Sequence, residues 1–278
     1  MIIHSDWHMH CYASYDSTLS IKEIEENTRL FGFEKFGITD HVNFNDKKFL
    51  ADLSESAKAV GELKERCERV VFGVELTPIE KPEFDYVAKH STREGYVAPV
   101  SSKPYDIELA QTKEELMAVG VRYAIGAAHW RVDVPGGRAL PDDMDASIKE
   151  WHRQQMWLVN DERVTILGHP WYHGKGLWYE DFSVIPRSIN EELMAALKES
   201  GKYVECNSQF FNNPRATEKF RHQYAEFLRE MFEMGIPMTY GSDSHNQYLP
   251  LHVNVEKYLV EAGFCDGDIV APDESVFW

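Results

Sequence analysis

Seven short apolar runs recur along the chain: Ile2–Asp6, Lys35–Thr39, Val70–Leu76, Tyr123–Ala128, Thr165–Gly168, Tyr203–Cys206 and Pro237–Gly241. The stretches between most of them carry helical periodicity, and this alternation is the strongest constraint on the fold. Parallel strands need a crossover of a dozen or more residues, usually a helix, and alternating strand and helix patterns imply a parallel sheet with helices outside. Ser20 opens one helix, IKEIEENTRLFG, with Glu23 three residues on and Gly32 as its stop, the pattern of a capping box and a C-cap. The others are SESAKAVGELKERCERV, DASIKEWHRQQMWLV, INEELMAALKESG and TEKFRHQYAEFLREMFEMG. No GxGxxG turn follows the first strand, and seven units over 278 residues favour a closed or nearly closed βα barrel over an open doubly wound sheet. One barrel domain over residues 1–278 is expected. A polar, Pro-punctuated insertion at 78–120, between the third and fourth barrel strands, reads as a cap over the site.

Nearly every expected strand ends in a residue able to bind a metal: DWHMH, GITDH, GVEL, AAHW, GHPW and GSDSH. In βα barrels the active site is built from the C-terminal ends of the strands. His8 and His10, Asp40 and His41, Glu75, His129, His169, and Asp243 with His245 occupy six of the seven ends. Packing would not place carboxylates there, because unpaired acids are almost never fully buried. Asp16, just past the first strand, can add an oxygen. Period-2 alternation puts Asp6, His8 and His10 on one face and Trp7 and Met9 on the helix side. His4 continues that face but, at ~3.3 Å per residue, lies too far from His8 to share an ion. His90, His152, His222 and His252 are expected at solvated surface positions. The mixed imidazole and carboxylate set suits Zn, Mn or Fe, and it is too large for one tetrahedral ion. Two or three ions with Glu75 as a bridge fit it, and such sites perform hydrolysis by generating a hydroxide and clamping attacking and leaving oxygens.

Composition narrows the partners. A net charge of −17 argues against a nucleic-acid surface, which needs clustered Lys and Arg, while a metal cluster can still attract a small anion locally. Cys11, Cys67, Cys206 and Cys265 form no CxxC pair, and no signal sequence or 18-residue apolar stretch is present, so a cytoplasmic, non-membrane protein is expected. Cys11 is expected to pack rather than ligate.

The ordered set DxHxH, TDH, GxE, a lone strand-end His, GHP and GSDxH resembles the PHP superfamily, named for polymerase and histidinol phosphatase domains, through essentially the whole chain. The resemblance implies an α/β fold, a distorted (β/α)7 barrel of TIM-barrel type, and a trinuclear centre of Zn, Mn or Fe. It implies one ion on His8, His10, Glu75 and Asp243, and a second on Glu75, His129 and His169. A third ion would take Asp16, His41 and His245. Asp6 and Asp40 would stand behind the ligands or carry protons.

The activity expected is hydrolysis of a small phosphate monoester or cyclic phosphodiester by a metal-bridging hydroxide. Asp40, His245 or Asp6 would handle the leaving-group proton. Histidinol-phosphate phosphatases typically show TEH at the second motif and an EPYP-like stretch after the sixth strand, where this chain has TDH and SQFFNNPRATEKF. Histidinol phosphate is therefore one candidate substrate among phosphate esters, with Asn207 and Arg215 similar to that group's asparagine and phosphate-binding arginine. A phosphate needs cationic partners, and Arg131, Arg138, Lys175 and Arg215 follow strand ends, with His173 beside them. Trp130 and Trp171 pack or wall the pocket. A C–N hydrolase of amidohydrolase type is the alternative chemistry, although no strand ends in a suitable lysine. A metal-bound scaffold would be expected to carry degraded motifs, and none is degraded.

Overall fold

The computed structural model describes residues 1–42, 53–80, 107–109, 111–129, 143–173 and 175–278. In chain order the strands are β1 Ser5–Asp6, β2 Lys35–Ile38, β3 His41–Val42, β4 Val70–Leu76, β5 Ile79–Glu80, β6 Ile107–Glu108, β7 Tyr123–Gly126, β8 Ile166–Leu167, β9 Tyr203–Asn207 and β10 Met238–Gly241. A parallel sheet runs β1-β2-β4-β7-β8-β9-β10, with β3 beside the end of β4. The seam between β1 and β10 is bridged by Trp7 N–H to the Tyr240 carbonyl and His10 N–H to the Ser244 carbonyl. The chain is therefore a nearly closed α/β barrel, as the strand–helix alternation predicts. The helices Ile21–Leu30, Ser54–Lys64, Met144–Asn160, Arg187–Ser200, Glu218–Glu233 and His252–Glu261 accompany it. No described helix is long and apolar enough to cross a membrane.

Local signals explain most boundaries. Ser20 accepts from Glu23 N–H and starts the first helix, but the Glu23 carboxylate does not close a reciprocal box. It accepts instead from Tyr248 N–H at 3.2 Å, tying that helix to the loop after β10. Thr112 and Glu115 form a full capping box within the expected insertion, where β5 and β6 pair antiparallel. Residues 81–106 and 110 of that insertion lie outside the described residues, and with them the expected cap.

Two apolar layers hold the barrel. Between sheet and helices, Phe36, Phe72, Val74, Leu167, Val204, Leu197 and Leu228 belong to one continuous core. A smaller cluster of Trp7, Tyr123, Ile125, Ile166 and Tyr203, with Phe277 against it, occupies the other face of the sheet. The register pairs Gly73 with Tyr123, Glu75 with Ile125, Ile125 with Ile166 and Ile166 with Tyr203. Residues paired across parallel strands share a face, so this cluster lies on the inner face that also carries Glu75. It is the floor beneath the strand-end residues.

One expectation is corrected here. Trp7 belongs to that interior floor, and Asp6 faces the helical side, where Tyr248 Oη donates to its carboxylate at 2.8 Å. Strict alternation fails because β1 ends at Asp6 and the ladder skips. Ser242 N–H and His8 N–H both go to Asp6 Oδ1, at 3.0 and 3.2 Å. The Trp7 carbonyl accepts from Tyr123 Oη at 2.7 Å, and pairing resumes with Asp243 N–H to the His8 carbonyl. A bulge of this kind re-aims the side chains that follow it. His8 and His10 thus point inward after Trp7 has done so, while Met9 and Cys11 join the outer core.

Candidate metal centre

Glu75 is the hub. Fully buried at the end of β4, it presents Oε1 to His169 Nε2 at 3.0 Å and His129 Nε2 at 3.4 Å. Its Oε2 faces His41 Nδ1 at 2.7 Å, His8 Nε2 at 3.3 Å and His10 Nε2 at 3.4 Å. Asp243 Oδ1 closes the far side, 3.6 Å from His8 Nε2 and 3.4 Å from His10 Nε2. Asp16 Oδ2 lies 3.2 Å from His41 Nε2 and 3.5 Å from His245 Nε2. Every residue expected as a ligand is therefore brought to one place. Three sets could each hold an ion: His8, His10 and Asp243; Glu75, His129 and His169; and His10, His41 and His245. His10 joins the third set, where sequence reasoning had only Asp16 beside the two histidines.

The donor set fits metal ions. Imidazole nitrogens converge on one another, His8 Nε2 on His10 Nε2 at 3.2 Å and His41 Nε2 on His245 Nε2 at 3.4 Å. Ring nitrogens converging in this way, with carboxylates between them, form the kind of donor set that a shared cation satisfies once it displaces their protons. Burial pushes the Glu75 carboxyl up, but the charges of His41, His8 and His129 outweigh it and hold it well below the carboxylate range. Burial and then His245 and His41 drive His10 well below its ordinary value, leaving a neutral imidazole. Two of these residues have left-handed backbones, His169 at φ 23° and Asp243 at φ 54°. Non-glycine residues held there carry strain that the surroundings must support, and such positions cluster at functional sites.

The residues expected to move protons or bind phosphate fare differently. Asp40 is turned away from the cluster. It accepts from Cys11 N–H at 2.7 Å, Ser56 Oγ at 2.6 Å and Cys11 Sγ at 3.0 Å. Asp6 is occupied by Ser242, His8 and Tyr248, and burial raises its carboxyl to about 6. Neither carboxylate opens toward the ligand atoms, which corrects their reading as general acids. His173 is corrected too: it is buried between Trp151 and Trp178, with ring centroids at 5.3 and 4.6 Å. Its Nδ1 accepts from Lys175 N–H, and burial lowers the imidazole to about 4. Trp171 is wholly buried against Trp178 and does not wall a pocket. His252, expected at the surface, packs against Phe33 and Phe31. Lys175 and Arg215 are exposed. The Arg215 charge reaches the hydroxyls of Tyr172 and Tyr179, and the Tyr172 ring sits 5.2 Å from that of His169. Trp130, Arg131 and Arg138 lie outside the described residues.

Two neighbours of the cluster escaped sequence reasoning. Glu205, buried on β9, has Oε1 2.7 Å from His8 Nδ1 and accepts from His169 N–H at 2.6 Å through Oε2. Thr77 Oγ1 lies 2.9 Å from His129 Nδ1. A carboxylate within the apolar strand YVECN was the signal available for Glu205, since an unpartnered acid does not stay in a buried strand.

A PHP domain profile matches residues 6–209, well over half of the chain, and takes in His8, His10, Asp16, His41, Glu75, His129 and His169. No curated protein matches. Among solved structures the chain is similar to a histidinol phosphate phosphatase from Lactococcus lactis subsp. lactis Il1403 complexed with zinc, L-histidinol and phosphate. That likeness has a TM-score of 0.66 at 19% identity over 94% of each chain. It is also similar to a Xaa-Pro dipeptidase with bound methionine, with a TM-score of 0.44, 14% identity, and 94% of this chain against 70% of that one. The second likeness is too slight to support any inference. With the family profile lying across the strands that build the cluster, the chain belongs to the PHP domain family and is a metal-dependent phosphoesterase.

Proposed function

We propose that the cluster holds two to three divalent ions, Zn, Mn or Fe, and hydrolyses a small phosphate monoester, with histidinol phosphate the first substrate to try. The observation that carries this reading is the Glu75 carboxylate, with His169 and His129 on one oxygen and His41, His8 and His10 on the other. His8, His10, Glu75 and Asp243 would hold one ion, and Glu75, His129 and His169 a second. His41, His245 and Asp16 would hold the third. When bound, such ions activate water and neutralise charge on the phosphoryl oxygens.

The chain's own residues supply the rest. Glu75 and Asp243 are held ionised despite burial by the neighbouring imidazoles, so two carboxylates are available to a cation that takes the place of the imidazole protons. Asn207 Nδ2 steadies Asp243 Oδ2 at 3.4 Å. Arg215 and Lys175, both exposed, would give the phosphate cationic partners, since guanidinium pairs phosphate oxygens bidentately, and Arg131 and Arg138 stay candidates from the sequence alone. Where two ions suffice, His245 beside Asp16 gives the proton to the leaving oxygen. The likeness to a phosphatase solved with L-histidinol and phosphate supports the choice of first substrate.

The test is to strip the protein of metal, restore Zn, Mn or Fe singly, count ions per chain, and assay histidinol phosphate, other monoesters and cyclic diesters. Two or more ions and metal-dependent release of phosphate are expected. Metal-replete protein that turns over no ester would sink the reading. Cleavage of amide bonds alone would replace it with C–N hydrolysis.

A further inference from the structure

We infer that Glu205 is a positioning residue that makes His8 an Nε2 ligand and locks His8 to His169, so that two parts of the metal cluster are set by one buried carboxylate. The inference rests on the metal-binding reading above and deepens it.

The geometry is specific. The two Glu205 oxygens divide between two strand ends, Oε1 toward His8 Nδ1 at 2.7 Å and Oε2 toward His169 N–H at 2.6 Å. A main-chain N–H can only donate, and a carboxylate can only accept. With Glu205 accepting on both sides, a His8 that binds an ion carries its ring hydrogen on Nδ1, and Nε2, which faces Glu75, His10 and Asp243, is the nitrogen left for that ion. His8 is unusual in this. The rear nitrogen of His129 meets the Thr77 hydroxyl, and that of His245 lies 2.9 Å from the Asp243 carbonyl. The rear nitrogens of His10 and His169 are buried without a hydrogen-bond partner. His41 meets carboxylates at both nitrogens, Glu75 and Asp16, but both belong to the candidate ligand set. His8 is backed by a carboxylate outside that set, which raises ligand basicity and fixes ring orientation.

Gly241 shows how tightly the pair is held. A Cβ placed there would lie 1.8 Å from Glu205 Oε1 and 2.6 Å from the His8 Cβ. The glycine of the GSDSH stretch is therefore required by the Glu205–His8 contact rather than by a turn. The bond to His169 N–H also sits at the residue whose φ is 23°, so the same carboxylate supports that strained backbone.

Glu205→Gln is the decisive variant. Its amide keeps the shape but can accept on one side only, and the His169 N–H cannot be reversed. The amide oxygen must then face His169 and the NH2 must face His8 Nδ1, which moves the ring hydrogen to Nε2 and removes that ligand. Zinc affinity, measured by chelator competition on wild type and variant, is expected to fall 10- to 100-fold, the range seen when a ligand's outer partner is lost. Long-range proton–nitrogen spectra of the zinc-loaded wild type should place the His8 ring hydrogen on Nδ1. Equal zinc affinity in a folded variant would overturn the inference while leaving the metal site intact. So would a wild-type His8 with no hydrogen on Nδ1, and that reading decides the matter even where the variant fails to fold. A wild type that binds no zinc would overturn both this inference and the function on which it rests.

Discussion

Tyr123→Phe tests how the bulge at Trp7 is maintained. In a regular ladder the Trp7 carbonyl would take a main-chain N–H from β10, but Ser242 N–H has gone to Asp6. The carbonyl is satisfied instead by Tyr123 Oη at 2.7 Å, between residues only 0–1% exposed. Removing the hydroxyl deletes a bond worth about 1 kcal/mol net and strands a buried acceptor, so the total cost should be about 1–3 kcal/mol. Gly37 supplies a second arm. A methyl there would lie 1.7 Å from Tyr123 Oη and 2.9 Å from its Cζ. Gly37→Ala alone should therefore cost at least about 2 kcal/mol through overpacking. With the hydroxyl already gone, the methyl meets Tyr123 Cζ at 2.9 Å and the Trp7 carbonyl oxygen at 3.1 Å, a milder overlap, and the double variant should be more stable than the sum of singles by about 1 kcal/mol or more. Urea unfolding of metal-free wild type, both singles and the double gives all four corners. A Tyr123→Phe cost below about 0.5 kcal/mol, or additivity within about 0.3 kcal/mol, would refute the account of how the carbonyl is held.

Other outcomes follow from the same structure. His173 is held near 4 by burial, against an ordinary 6.5, so between those values the unfolded chain binds a proton that the folded chain refuses. Stability should fall as pH drops through that window, by up to about 3 kcal/mol in total. Unfolding of metal-free His173→Gln at pH 7.5 and 4.5 should show a flatter dependence than wild type, and an unchanged slope would remove His173 as the cause. Arg215→Ala should raise KM for p-nitrophenyl phosphate about tenfold, as expected for an exposed charge-assisted contact, with metal content unchanged. A fall in kcat with KM unmoved would place Arg215 outside phosphate binding.

Much of this protein is readable without coordinates, because the signals are local. Strand–helix alternation specifies a parallel sheet, caps such as Ser20 and Thr217 mark helix starts, and ligand-type residues at strand ends locate the site. Each needs only a residue and its near neighbours in sequence. The place of Glu75 among the histidines could be anticipated too, since it stands near the end of an apolar run as they stand at the ends of theirs.

What tertiary structure decided depends on groups far apart in the chain. Asp6 and Asp40 sit in the same motifs as the candidate ligands, yet Ser242 and Tyr248 draw one toward the helices, and Cys11 and Ser56 draw the other. His173 follows GHPW as a substrate group might, yet Trp151 and Trp178 enclose it. Glu205 lies 197 residues from the His8 ring it backs and 36 from the His169 amide it accepts. The periodicity of a strand says which way side chains should alternate, but it cannot say where the ladder skips. That skip at Trp7 is set by a tyrosine on another strand and an aspartate that takes a backbone partner. It puts Trp7 into the floor and still turns His8 and His10 inward.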